Sequence, residues 1–172
     1  TDRVSGRCCQ KLPGTNNMKR GERGHVLIAE DNLVIQKVLT RMLASIGLSS
    51  TVVENGQQAV EFLQNNDGRS FGRSACTCVI MDVDMPQMDG LCATREIRKW
   101  EGTANGVANG DSLTPLRNRI LCHSASATKD DWTRAGMDDQ LEKPVKLTEL
   151  RQAVETALEM QRASSDDSPW SS

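Results

Sequence analysis

Tyrosine is absent from this chain of 172 residues, and only Phe62, Phe71, Trp100, Trp132 and Trp170 are aromatic. A single-strand nucleic-acid binder needs several exposed rings for stacking, so that class is disfavoured. The core must lean on Leu, Ile, Val, Met and Ala. No apolar run approaches the ~18 residues of a membrane-spanning helix, and a secretory apolar stretch is missing too. The six cysteines form no CxxC pair and have no flanking His pair, which argues against zinc on spacing alone. Cys76, Cys78 and Cys122 lie in largely apolar runs and read as reduced thiols of an intracellular protein. A strong charge of one sign is also lacking. Net charge is -2, with +4 on residues 1–25, -2 on 163–172 and -4 on the body between them. A mildly acidic body is a poor polyanion binder.

What is present is an alternation. Residues 1–24 are rich in Gly, Arg, Lys, Asn and Cys and read as a flexible basic linker or tail. His25–Ala29 is an apolar run of strand length. Asn32 opens a helical pattern in which Ile35, Val38, Leu39, Met42, Leu43 and Ile46 share a face, and Gly47 stands at its stop. Ser49–Val53 reads as a strand and Gln57–Gln64 as a helix. A polar loop follows over 65–75. Cys76–Met81 is apolar apart from Thr77, as in a strand covered on both faces. Pro86 and Gly90 break the chain, and Leu91–Trp100 is helical. Residues 101–118, with two Asn-Gly steps and Pro115, read as a long loop. Arg119–His123 predicts a fourth strand, Lys129–Ala135 a short helix ended by Gly136, and Gln140–Glu142 a fifth strand. Leu150, Ala153, Val154, Ala157 and Leu158 form the apolar face of a last helix. Residues 163–172 read as a disordered polar tail, leaving 25–162 as the folded domain. The chain starts at Thr1 rather than Met, so it is expected to be a piece of a longer protein.

Strand and helix alternate five times, the pattern of an α/β domain with a five-stranded parallel, doubly wound sheet. Its ligand site is expected beyond the carboxyl ends of the strands. Glu30 and Asp31 follow strand one. Asp82 ends strand three, with Asp84 behind it. Ser124 follows strand four, and Lys143 ends strand five before Pro144. Crowded carboxylates repel unless something pairs them. A hard divalent cation such as Mg²⁺ does so, binding through one or two carboxylates plus substrate phosphate. Lysine offers a compact positive charge to phosphate oxygens, and serine offers a hydroxyl donor. A carboxylate can also be the nucleophile that becomes an aspartyl-phosphate. Singly, each residue reads more readily as a cap or turn residue. Together they point to metal-assisted phosphoryl transfer onto Asp82, driven by positioning and charge neutralisation.

Val26 to Asn32 (Val-Leu-Ile-Ala-Glu-Asp-Asn), Val79 to Gly90 (Val-Ile-Met-Asp-Val-Asp-Met-Pro-Gln-Met-Asp-Gly), Ala135 to Asp138 and Leu141 to Pro144 resemble the receiver domain of two-component response regulators. The Glu-Asp-Asn and Ala-Gly-Met-Asp forms are most similar to receivers of hybrid histidine kinases. The likeness covers roughly 25–160 and rests on a specific motif. It implies a flavodoxin-like strand order of 2-1-3-4-5 with five helices. It implies Asp82 as phosphoacceptor, Glu30, Asp31 and Asp82 around Mg²⁺, and a contribution to the metal from Asp84 through its backbone carbonyl. It further implies Ser124 as the switch hydroxyl, Lys143 as the phosphoryl contact and a cis bond before Pro144. The implied partner is a histidine kinase or histidine phosphotransfer protein, with no nucleic acid or membrane bound directly. The implied setting is cytoplasmic, as the terminal receiver of a hybrid kinase that could itself be membrane-bound.

The chain also departs from the family pattern. Gln140 stands three residues before Lys143, where the family keeps an aromatic ring, so a switch that swings a ring there cannot work in the usual way. The stretch from Ser124 to Lys143 is about three residues shorter than in hybrid-kinase receivers, nearly one turn, which predicts a short fourth helix. His123 reads as a partly exposed strand-end histidine rather than a pH sensor. Asp84 adds a carboxylate expected near the metal. Two competing functions remain at this level. Asp82-Val-Asp84 superficially resembles the motif of haloacid-dehalogenase-like phosphatases, although that motif ends a first strand. A non-phosphorylated binding module is suggested only by Gln140 and the short helix.

Overall fold

The computed structural model describes residues 24–65, 76–104 and 117–166. The basic head before Gly24, most of the two long loops and the last residues of the tail lie outside them. The elements are β1 (His25–Ala29), α1 (Leu33–Ser45), β2 (Ser49–Val53), α2 (Gly56–Asn65), β3 (Cys76–Asp82), α3 (Gly90–Ala104), β4 (Ile120–Ser124), α4 (Lys129–Ala135), β5 (Asp139–Glu142) and α5 (Leu147–Asp166). All strand pairs are parallel, in the order β2-β1-β3-β4-β5.

β1 and β4 are buried at every residue, because helices cover both faces of the sheet. Val26, Ile28, Cys78, Ile80 and Leu121 pack with α1 and α5. Leu27, Ala29, Val79, Met81, Ile120 and Cys122 pack with α2, α3 and α4. Alternation along each strand thus divides the apolar residues between two half-cores. α1 starts because the Asn32 side chain accepts from the amides of Val34 and Ile35, and Leu39 and Leu43 bury its inner face completely. Each such leucine is worth about 1.5–3 kcal/mol of transfer energy. Val38, expected on that face, is 42% exposed, and Leu33 and Val34 stand out beside it.

α4 has seven residues, the fewest of the helices among the described residues. Thr128 and Asp131 form a reciprocal capping box at its start, and Gly136 closes it at φ 96°, a left-handed conformation that suits glycine. Two boundaries differ from expectation. α3 continues through 101–104, where a loop was expected, because the Glu101 carboxylate is anchored by Arg98 and by the Asn118 amide. α5 runs on to Asp166, into residues read as tail. No glycine or proline interrupts the chain between Pro144 and Pro169, so nothing stops its hydrogen-bond ladder.

Candidate functional site

Glu30 is the first residue beyond β1, and its amide donates to Val53 O on β2 at 3.1 Å. Asp82 is the last residue of β3, beside His123 in the register with β4. Lys143 follows β5, and its bond to Pro144 is cis. Sheet order brings these ends together. Lys143 Nζ donates to Asp82 Oδ2 at 2.8 Å and to Glu30 Oε2 at 3.1 Å. Glu30, Asp31 and Asp82 each offer an oxygen, and those atoms lie within 4.8 Å of one another. Glu30 and Asp82 are buried, whereas Asp31 is exposed and opens the cluster to solvent. The Asp84 carboxylate is exposed and stands outside this group; Asp84 enters through its backbone amide, which donates to Asp82 Oδ1 at 3.3 Å. Ser124 is buried at the end of β4, and its Oγ accepts from the amides of Ser126 and Ala127 at 3.1 Å each.

The loop after Asp82 is folded tightly beneath the site. Gly90 N donates to Val83 O at 3.0 Å. A Cβ on Gly90 would sit 2.0 Å from Asp82 O and 2.9 Å from Met81 Cγ, so only glycine fits there. That contact gives the Met-Asp-Gly end of the motif a physical reason: the start of α3 is pressed against the peptide that carries Asp82.

Burial pushes the Glu30 carboxyl upward, but hydrogen bonds from His123 and Lys143 outweigh it, and the group lies below its ordinary value. Asp82 lies above its ordinary value, chiefly through burial, with the neighbouring charge of Glu30 adding to it. Burial lowers Lys143, yet its two carboxylate partners hold it above its ordinary value. Three carboxylates thus face one ammonium. An all-oxygen donor set with excess negative charge and one exposed member fits a hard divalent cation such as Mg²⁺. The Cys122 thiol beside the site is pushed up to about 11, mainly by burial.

Two expectations change here. His123 is not a partly exposed strand-end residue: its side chain is 1% exposed, and Nδ1 lies 3.3 Å from Glu30 Oε2. A parallel strand covered on both faces leaves no exposed position at its centre or its end, and that cue was present in the sequence. Gln140, in place of the ring, is engaged as an amide. Its Oε1 accepts from Trp132 Nε1 at 3.2 Å, and its Nε2 donates to Ala127 O at 3.5 Å.

The family model of the response regulator receiver domain matches residues 26–155. The chain belongs to this family. As a receiver, it is 30% identical over 133 residues to hybrid signal transduction histidine kinase I of Dictyostelium discoideum. It is 33% identical over 129 residues to the sensor protein GacS of Pseudomonas syringae pv. syringae. These matches take in 77% and 75% of the chain but only 7% and 13% of those proteins. Among solved structures, it resembles the receiver domain of the sensor histidine kinase PA1611 from Pseudomonas aeruginosa, which carries a magnesium ion in its active-site cleft. That match has a TM-score of 0.61 and 32% identity over 78% of this chain and 97% of that one. It also resembles the receiver domain of Ssk1 from Saccharomyces cerevisiae, crystallised with the phosphotransfer protein Ypd1. There the TM-score is 0.66 and the identity 29%, over 80% and 90% of the two chains. The phosphatase alternative is not favoured: Asp82-Val-Asp84 ends the third strand, and Asp84 stays outside the acidic cluster.

Proposed function

We propose that this receiver accepts a phosphoryl group onto Asp82 from a phosphohistidine of a histidine kinase or phosphotransfer protein. The observation that carries the reading is a buried aspartate under a lysine, with Glu30 and Asp31 close enough to share a cation. Glu30, Asp31 and Asp82 would hold Mg²⁺, with Asp84 contributing only through its main chain. Bound there, Mg²⁺ supplies positive charge to the oxygens of the incoming phosphoryl group. An Asp82 carboxylate oxygen attacks phosphorus, the bond from phosphorus to the donor imidazole breaks, and an acyl phosphate remains on Asp82. Lys143 turns from the carboxylates to a phosphoryl oxygen. The Ser124 hydroxyl leaves the amides of Ser126 and Ala127 to donate to another.

In this reading phosphorylation switches the partner-binding face of α4, β5 and α5, while the phosphoryl donor docks on the outer side of α1, where Leu33, Val34 and Val38 are exposed next to Asp31. An apolar patch beside the reaction site suits a docking partner that delivers its histidine to the acidic edge. A receiver domain that begins near 25 and runs through α5, membership of a hybrid kinase and a cytoplasmic setting belong to the same proposal. No helix among the described residues is long and apolar enough to cross a membrane. The test compares the wild type with Asp82→Asn, using beryllofluoride or a small phosphodonor with and without Mg²⁺. A Mg²⁺-dependent response of the wild type alone is expected. No modification at Asp82 under any condition would overturn the reading.

A further inference from the structure

β4 is buried along its whole length, and His123 interrupts its apolar residues at the position nearest the acids. Glu30 Oε2 is shared: His123 Nδ1 approaches it at 3.3 Å and Lys143 Nζ at 3.1 Å, while the same ammonium lies 2.8 Å from Asp82 Oδ2. One lysine therefore serves two carboxylates. When Lys143 turns to a phosphoryl oxygen, Glu30 Oε2 loses that donor, and the Asn32 amide, 3.3 Å from Oε1, holds only the other oxygen. A buried carboxylate oxygen left without a donor is costly. His123 sits in the strand bed, 1% exposed, and does not leave with the lysine.

We propose that His123 is a positioning residue for the cation site: its Nδ1–H holds Glu30 Oε2, so that Glu30 stays aimed at Asp31 and Asp82 whether or not Lys143 is engaged. An ionised carboxylate only accepts hydrogen bonds, so the imidazole nitrogen in this contact must be the donor. The side chain has two torsions and is enclosed, which makes it a stiff support. Partners of metal-ligating side chains typically change metal affinity by about 10–100-fold when removed. The inference rests on the proposal that Glu30, Asp31 and Asp82 hold Mg²⁺.

The experiment titrates Mg²⁺ alone into the full chain, following amide NMR shifts, for wild type, Asp31→Asn, His123→Leu and His123→Asn. Wild type should saturate and Asp31→Asn should not. His123→Leu should bind about tenfold more weakly. His123→Asn, whose side-chain amide can replace the Nδ1–H donor, should return to within about threefold of wild type. A wild type blind to Mg²⁺ would overturn the cation reading itself, and this inference with it. If wild type binds and Asp31→Asn does not, His123→Leu at wild-type affinity overturns the role of His123 alone. So does a folded His123→Asn that binds as weakly as His123→Leu. Should His123→Leu not fold, the wild type decides by imidazole ¹H–¹⁵N correlation, with and without beryllofluoride and Mg²⁺. A proton on Nδ1 in both states supports the proposal, and an unprotonated Nδ1 in either overturns it.

Discussion

The two ends of the sheet each carry a cluster of charged side chains, built in opposite ways. At the carboxyl end, Glu30, Asp31 and Asp82 cluster with a single ammonium among the described residues, Lys143, which pairs with Glu30 and Asp82. At the amino end, Glu101 and Asp138 face two guanidinium groups. Arg98 reaches Glu101 at 2.7 Å, Asp138 at 2.8 Å and Gly136 O at 2.8 Å, and Arg117 pairs with Asp138 from outside. Backbone donors complete the set: Ile120 N binds Asp138 at 2.8 Å, and Asn118 N binds Glu101 at 2.7 Å. The amino-end cluster is balanced in charge and closed in hydrogen bonds, and it ties α3 to the starts of β4 and β5. The carboxyl-end cluster is left negative, as the proposed cation site requires. Balanced charge serves the fold, and unbalanced charge serves the chemistry.

Four measurements sharpen or break that contrast. The largest effect is expected from Lys143→Met, which removes the ammonium that pairs with Glu30 and Asp82. The rate of phosphorylation by a small phosphodonor should fall by about 10²-fold or more, with little loss of fold. A smaller rate effect would mean that Lys143 balances charge without contacting the phosphoryl group. Next comes Arg98→Met, which removes the guanidinium shared by two largely buried acids. Denaturant unfolding should show a loss of about 3 kcal/mol, with the phosphorylation rate of the remaining folded protein unchanged. An unchanged midpoint would refute the structural role of the amino-end cluster.

The third measurement concerns pH in the absence of metal. The Asp82 carboxyl is raised in the folded state, so its favourable contribution exists at acid pH and is lost as pH rises through the raised value. Asp82→Asn should therefore melt above wild type at neutral pH, by roughly 2–5 °C, and the gap should close toward acid pH. Glu30 carries the opposite sign. Its contribution is present above the ordinary carboxylate range and lost as pH falls through the depressed value, so Glu30→Gln should melt below wild type at neutral pH. Thermal melts across pH in EDTA check both, and parallel curves for the two variants would break the contrast. The smallest effect belongs to His25, which lies outside both clusters. Its ring contacts Ser49 Oγ at 2.8 Å and Thr51 Oγ1 at 3.0 Å, and burial lowers its pKa. Its contribution is full above the ordinary histidine value and is lost as pH falls through the lowered one. Melts of His25→Asn should lose that slope, with a change of about 2 °C or less.

Much of the fold was legible because its signals are local. The apolar run of β1, the Asn32 cap, the face of Leu39 and Leu43 and the Gly136 stop all declare themselves within a few residues. What escaped depends on distant partners. Residues 101–104 look like loop until Glu101 meets Asn118 across 17 positions. Val38 has the right spacing for the core, yet among the described residues no element covers that side of α1. The Asp84 carboxylate, expected near the acidic pair, faces solvent instead. His123 needed Glu30, 93 positions away, to show what it touches.

The order of strands and helices, the parallel sheet and the presence of acids just beyond strand ends follow from the sequence by itself, because hydrophobic period and breakers act over one turn or one strand. The receiver resemblance rested on those same motifs. Which acids meet, which one turns away, that one lysine bridges Glu30 and Asp82, and that His123 shares Glu30 with it were decided only by the tertiary structure. Strand order and register set those contacts, and both come from packing between segments far apart in the chain.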